Sequence, residues 1–113
     1  MKIYALSDTE ETSVSHNAAI KKKMLIQPDE INNLTYFSQA IFPPGEIAHA
    51  HCHHDMNEIF FIQSGHGTMS VNGNQFLLQA GTCIAINAGE VHELRNEGDE
   101  DMLVTYFGIS NNS

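Results

Sequence analysis

From residue 33 onward the chain alternates short β-prone runs with turn residues, at a spacing of roughly 8 to 12 residues. Eight such runs are present, and no segment has a convincing helical period. The runs are 34–42, 46–53, 58–63, 68–71, 75–79, 82–86, 90–96 and 102–109. The clearest turn is Asn72-Gly73, because both residues tolerate the positive φ of a type I′ hairpin. The pattern predicts an all-β sandwich or barrel.

The segment before this series carries a weaker pattern. Residues 1–17 are polar and mixed, as in a loose arm or an added edge strand. Residues 18–26 (AAIKKKMLI) are predicted to form a strand whose lysines protect an exposed sheet edge, with a basic binding patch as the alternative. A chain of 113 residues supports one hydrophobic core. We therefore predict an N-terminal arm with a possible edge strand over 1–32, and a single β-barrel domain over 33–113.

The charge balance excludes several partners. The formal net charge is −9, and after Lys21–Lys23 the one remaining basic residue is Arg95. Nucleic acid and anionic membranes both require a basic surface, so neither is an expected partner. No apolar run approaches the ~20 residues of a membrane span, and the widely separated Cys52 and Cys83 are typical of reduced thiols. We expect a cytoplasmic protein.

Four of the 7 histidines lie within residues 49–54, and a glutamate follows at position 58. On a strand, His49, His51 and His53 would share one face. Two imidazoles from neighbouring positions of that face can bind one ion. Glu58 begins an otherwise apolar strand face, where a carboxylate is costly to bury unless a cation pairs with it. The spacing favours a metal site, and the alternative is a solvated strand face.

These residues form part of a longer pattern that resembles the two motifs of the cupin superfamily. The first motif is glycine, five residues, His-x-His, three or four residues, glutamate, six residues and glycine. The second is glycine, five residues, Pro-x-Gly, two residues, histidine, three residues and asparagine. The matching residues are Gly45, His51, His53, Glu58 and Gly65, then Gly81, Asn87-Ala88-Gly89, His92 and Asn96. One position departs from the family, since Asn87 stands where it has proline.

The resemblance implies a double-stranded β-helix, or jelly-roll, barrel. It implies that His51, His53, Glu58 and His92 bind one divalent transition metal. Such a donor set suits Fe, Mn, Ni, Cu or Zn without selecting among them, whereas Ca²⁺ and Mg²⁺ prefer oxygen ligands. Two positions of an octahedral shell would stay open for a chelating ligand. Cupins are commonly dimers, and both faces of the run 58–63 are apolar, so we expect a homodimer.

The remaining polar residues give weaker predictions. His49 is predicted to lie just outside the metal ligands, as a base or a ligand contact, and the alternative is a partly exposed histidine near the mouth of the barrel. His16, His54 and His66 are expected at the surface. Tyr36, Tyr106 and Gln63 could supply hydrogen bonds inside the barrel, but packing in the core or at the surface is the favoured assignment.

Arg95 lies an odd number of residues from His92 and is predicted to point away from the metal, which leaves the cavity without a basic side chain. That environment favours a small chelating substrate that is apolar or singly anionic. We expect a metal-dependent enzyme with dioxygenase-like, decarboxylase-like, or isomerase- or lyase-like chemistry. The alternative is a module that binds a small molecule without turnover.

Overall fold

A computed structural model describes residues 1–111, which form ten β-strands and one 3₁₀ turn at Leu6–Asp8. The strands are β1 (Glu11–Val14), β2 (Asn17–Ile26), β3 (Leu34–Phe42), β4 (Ile47–His51), β5 (Met56–Ser64), β6 (His66–Val71), β7 (Asn74–Gln79), β8 (Cys83–Ile86), β9 (His92–Arg95) and β10 (Met102–Ser110). The all-β prediction is confirmed. No helix in residues 1–111 is long and apolar enough to cross a membrane.

The strands form two antiparallel sheets. The six-stranded sheet has the order β1-β2-β3-β10-β5-β8, and the four-stranded sheet has the order β4-β9-β6-β7. Successive strands cross repeatedly from one sheet to the other, as they do in a jelly roll. The predicted jelly-roll architecture is therefore confirmed.

The core lies between the inner faces of the two sheets. Alternate residues of each strand point inward, and the fully buried apolar side chains come from both sheets. They include Ile20, Ile62, Met69, Met102 and Val104. Near the metal-motif residues this core gives way to a cavity, so the fold places polar groups at one end of an apolar interior.

The N-terminal segment adds two strands to the larger sheet. β2 pairs with β1 on one side and with β3 on the other, and Ile20 is fully buried in the core. The prediction that the β2 lysines protect an exposed edge is therefore wrong, because β1 covers that edge. The division into 1–32 and 33–113 stays a prediction, and its residues 112 and 113 lie outside the described part.

Two turns follow the sequence prediction. Asn72 and Gly73 have φ of 49° and 84°, as a type I′ hairpin requires. The turn after β8 closes without the family's proline, because the Glu90 N–H donates to the Asn87 carbonyl at 3.1 Å. Gly89, with φ of 86°, supplies the left-handed residue. This turn leads directly into the strand that carries His92.

Candidate metal centre

β4 ends in an irregularity that presents its histidines. Its pairing with β9 shifts register between Ala48 and His51, after which His51 lies opposite His92. His53 follows in the loop that leads to β5. The predicted face of three histidines is thus only partly formed. The side chain of His49 is 67% exposed, and its Nδ1 lies 3.7 Å from Oε1 of Glu93.

The other two motif residues lie on regular strands and are buried. Glu58 on β5 is 4% exposed, and His92 on β9 is 2% exposed. The two strands belong to opposite sheets, so these side chains meet across the interior. A buried carboxylate requires compensation, and the imidazoles facing it supply part of that.

The structure brings four predicted ligands together. One donor atom from each of His51, His53, Glu58 and His92 lies within 4.8 Å of the others. Oε1 of Glu58 is 3.3 Å from Nε2 of His53 and 3.1 Å from Nε2 of His92. Adjacent donors bound to one ion at about 2.1 Å lie about 3 Å apart. The cluster therefore has the dimensions to hold one divalent metal ion.

Backbone carbonyls orient two of the imidazoles. Nδ1 of His51 donates to the His49 carbonyl at 2.8 Å, and Nδ1 of His92 donates to the Glu90 carbonyl at 3.1 Å. These bonds place the proton on Nδ1 and leave the Nε2 lone pair for a metal. In neutral His92 that lone pair would face a carboxylate oxygen, so a cation or a proton is needed between them. The donor set therefore fits a bound cation.

The imidazoles of His92 and His53 titrate differently. Burial alone would lower the pKa of His92, but its hydrogen bonds to Glu58 and to the Glu90 carbonyl outweigh burial and raise it. The pKa of His53 is lowered, first by burial and then by the neighbouring imidazoles of His51 and His92. Protons therefore compete with a metal more strongly at His92 than at His53.

Two tyrosines complete the polar end of the cavity. The Tyr36 hydroxyl donates to Oε2 of Glu58, which leaves Oε1 facing the imidazoles. Tyr106 stacks on Phe60 with ring centroids 5.5 Å apart and meets Tyr36 edge-on at 5.6 Å. Burial, followed by the Glu58 charge, raises the pKa of Tyr106 to about 12, so its phenol stays protonated near neutral pH.

The cluster opens into a cavity of about 630 Å³. Its wall is mainly apolar, with Phe42, Phe60, Leu94 and Val104 among the lining residues. Lys22 also lines this cavity. The prediction of a cavity without a basic side chain is therefore wrong.

Other predicted positions have simpler roles. Arg95 does not line the cavity, and its guanidinium donates to Glu93 at 2.9 Å. His54 and His66 are exposed as predicted, and so is His16, although His16 lines the cavity.

The buried motif residue Asn96 has a structural role. Its amide donates to the carbonyls of Phe42 and Glu100, at 2.8 and 2.7 Å. Its side-chain oxygen accepts the Gly98 N–H at 2.8 Å. Asn96 thereby ties the end of β9 to the end of β3.

With this geometry in place, comparison with known proteins gives the family. A family model of the cupin domain matches residues 38–108, which is more than half of the chain. The chain is a cupin. The resemblance predicted from the two motifs is confirmed.

This cupin is similar to several curated relatives. The oxalate-binding protein of Thermotoga maritima is 31% identical over 71 residues, which span 63% of this chain and 59% of the relative. The match thus covers less than two thirds of that protein's length. An uncharacterized protein of Aquifex aeolicus is 27% identical over 105 residues, or 93% of this chain and 84% of the relative.

Solved structures share the fold at lower identity. A predicted oxalate decarboxylase from Thermotoga maritima aligns with a TM-score of 0.88 and 23% identity, over 96% of this chain and 99% of that one. KdgF from Halomonas sp. aligns with a TM-score of 0.81 and 13% identity, over 99% and 96% of the two chains. These likenesses establish the fold of this cupin.

Sequence reasoning missed Tyr36, Tyr106 and Lys22 as cavity residues. Both Tyr36 and its neighbour Phe37 are aromatic, so alternation alone could not decide which of them faces inward. Lys22 stands in a run of three lysines, so the lysine types alone did not show which of them faces inward. The alternation of Ile20, Lys22 and Met24 was the available signal, because it places the lysine on the face of two apolar residues.

Proposed function

We propose that this cupin binds one divalent transition metal through His51, His53, Glu58 and His92 and acts, as an enzyme, on a small organic anion that chelates the metal. The observation that carries the proposal is the convergence of four donor atoms within 4.8 Å at the end of a 630 Å³ cavity. Three imidazoles and one carboxylate leave room for a bidentate ligand, and the open cavity gives that ligand access.

A carboxylate-containing chelator is the ligand class that we favour. The curated Thermotoga maritima relative is an oxalate-binding protein, and a structural neighbour is a predicted oxalate decarboxylase. Both names point to a small anion whose oxygens can occupy two adjacent metal positions. When bound, the divalent ion would supply Lewis-acid chemistry to such a ligand.

The residues around the cluster have proposed roles in handling this ligand. His49 is one of the cavity-lining residues, with its exposed ring 3.7 Å from Glu93, and we propose that this ring turns toward the cavity to contact the ligand or to accept a proton from it. Tyr106 stays protonated because its pKa is about 12, and it serves as a hydrogen-bond donor on the wall. Decarboxylase-like, dioxygenase-like, and isomerase- or lyase-like reactions all suit these groups.

The second candidate function is ligand binding without turnover. Glu58 is the one carboxylate among the cavity-lining residues, and it already bonds Tyr36 and His92. This shortage of carboxylate bases, together with the name of the oxalate-binding relative, favours a binding module. Mass spectrometry of the ligand after long incubation with metal-loaded protein separates the two candidates, since only an enzyme converts it.

Elemental analysis joined to calorimetry tests the proposal. We expect close to one transition-metal ion per chain, and oxalate binding that requires the metal. The exposed His66→Ala variant provides a matched control that keeps both properties. If the protein binds none of the five candidate metals, the proposed site is refuted. Metal binding without any uptake of oxalate or other chelating carboxylates would refute the ligand class.

The homodimer and the cytoplasmic location stay predictions. The outer face of the six-stranded sheet carries aromatic side chains, with Phe37 stacked on Phe107 at 5.9 Å and Phe61 exposed. We propose that a second copy covers this face. Light scattering should give a dimer mass, and Phe61→Lys should shift it toward the monomer; a monomeric native protein would contradict this.

A further inference from the structure

Lys22 faces the interior of the barrel. Side chains alternate along β2, so Lys22 shares the inner face with the fully buried Ile20 and with Met24. It is half-buried and is the one lysine or arginine among the residues that line the metal-site cavity. Its neighbours Lys21 and Lys23 point to the opposite face.

The three lysines differ in their partners. The Lys21 ammonium donates to the Ser13 hydroxyl at 3.2 Å, and the Lys23 ammonium donates to the Leu6 carbonyl at 2.8 Å. Within residues 1–111, the Lys22 ammonium has neither a hydrogen-bond nor an ion-pair partner. An ammonium that has no partner in the protein and stands on a mainly apolar wall gains one when an anion binds beside it.

Lys22 and the metal cluster lie at different levels of the barrel. Lys22 pairs with Ala40 on β3, whereas Tyr36, which holds Glu58, lies four residues earlier on the same strand. Four residues of strand span about 13 Å. A lysine side chain is at most about 6 Å long, so the ammonium does not reach the level of the metal cluster. The wall between the two levels includes the apolar side chains of Met24 and Phe60.

The charges of the cavity also favour an anion with two negative groups. With a divalent ion bound, the charged lining residues are Glu58 and Lys22, since the histidines bind as neutral imidazoles. One carboxylate cannot balance the ion and the ammonium, and two positive charges remain uncompensated. These charges lie at separate places along the cavity, so a ligand must be extended to neutralise both.

We propose that the ligand of this cupin is an elongated dianion, with a chelating head at the metal, an apolar middle and a second anionic group at Lys22. This inference rests on the proposed metal site and specifies the ligand class that it binds. A cavity of about 630 Å³ suits such a molecule, because the pockets that bind small organic ligands have volumes of about 300–1,000 Å³. Oxalate, with about six non-hydrogen atoms, could occupy the metal end but would not extend to Lys22.

Length-matched probes test this assignment. Each probe carries a 2-oxo acid head, which chelates a metal, and ends in either a carboxylate or a methyl group. Binding of probes with five to ten carbons is measured by calorimetry on metal-loaded native protein, Lys22→Met and the control Lys21→Met. In the native protein and in Lys21→Met, we expect the dicarboxylates of the best length to bind about tenfold more tightly than their methyl-ended counterparts.

The Lys22→Met variant should lose this preference while keeping its metal content and its affinity for the methyl-ended probes. Lys22→Arg should recover part of the preference. Equal binding of both probe classes by native protein, or a preference that survives Lys22→Met, would overturn the inference. In either case the proposed function stands if the 2-oxo acids bind only the metal-loaded form. If no probe binds to metal-loaded protein, both proposals fail.

Discussion

The four candidate ligands divide into a buried half and an exposed half. Glu58 and His92 are 4% and 2% exposed and lie on regular strands of opposite sheets. His51 is exposed, and the His53 side chain is 34% exposed; these two follow the register shift in β4. The same cluster thus combines a part fixed by the core with a part set by a strand end and a loop.

The difference indicates how such a site forms. The buried half is held by Tyr36 and by the Glu90 carbonyl, so its donors are positioned before a metal arrives. In the exposed half, the His53 carbonyl accepts the Gly89 N–H at 2.7 Å, but of the two rings only that of His51 is bonded to a backbone carbonyl in residues 1–111, the carbonyl of His49. We infer that the buried half determines the geometry and that the exposed half closes on the ion from the solvent side. Substitutions in each half separate their contributions to metal binding and to stability.

The largest expected effect comes from removing one ligand from each half. His92→Ala and His51→Ala should each weaken metal binding by at least about a hundredfold, measured by competition with a chromogenic chelator. Only His92→Ala should also lower the unfolding free energy of the metal-free protein, by about 2 kcal/mol, because Glu58 then stays buried without this partner. Equal unfolding free energies for the two variants would contradict the division into halves.

The pH dependence of metal binding should reflect the buried half. A metal requires deprotonated imidazole, and the pKa of His92 is raised above its usual range. Affinity should therefore rise about tenfold per pH unit for each displaced proton until the pH passes that pKa, and then level off. Titrations of metal binding at several pH values measure this profile. A flat profile from pH 5 to 8 would contradict it.

In the metal-free protein, the His92 imidazole affects the unfolding free energy. Its contribution falls as the pH rises, whereas metal affinity rises with pH. Because the folded pKa of His92 is raised, its contribution is fully present below pH 6.5 and is lost as the pH rises through the folded pKa. The lowered pKa of His53 acts in the reverse sense, since its folded form binds a proton less readily. Denaturation of metal-free His92→Ala should show only the His53 trend.

A smaller effect is expected from the residue that holds Glu58. Tyr36→Phe removes the hydroxyl bonded to Oε2, so the carboxylate becomes free to rotate. Metal affinity should fall about 10- to 100-fold, as is usual when a supporting hydrogen bond is lost. Tyr106→Phe provides the control, because Tyr106 has no hydrogen bond to Glu58. If both variants bind metal as tightly as the native protein does, Tyr36 does not position the carboxylate.

The smallest effect on metal affinity is expected from substitution of His49. Its backbone carbonyl orients His51, but its ring is exposed and lies 3.7 Å from the Glu93 carboxylate. His49→Ala should keep metal affinity within about twofold while weakening the binding or conversion of the chelating anion. His66→Ala should change neither quantity. Loss of metal binding in His49→Ala would place its ring among the ligands.

Local patterns in the sequence predicted much of the fold. The eight strands from 33 onward, the Asn72-Gly73 hairpin and the outward direction of Arg95 all follow from alternation and turn chemistry. These features depend on neighbours along the chain. The resemblance to the cupin motifs likewise predicted that candidate ligands from different strands lie close together.

The errors arose where contacts between distant segments decide the outcome. Whether β2 is an edge strand depends on β1 folding back to cover it, and the run of lysines carries no signal of that pairing. The register shift in β4 turns His49 toward Glu93, and strict alternation cannot anticipate such an irregularity. Lys22 was not recognised as a cavity residue because packing against the other sheet determines which face of β2 points inward.

Anomalous diffraction from crystals of the metal-loaded protein tests the central claim most directly. Data collected above and below the absorption edge of the metal should show one anomalous peak per chain. The peak should lie within bonding distance of Nε2 of His51, His53 and His92 and of Oε1 of Glu58. A peak at any other set of residues, or a cluster that stays without a peak in protein shown to contain metal, would contradict the account.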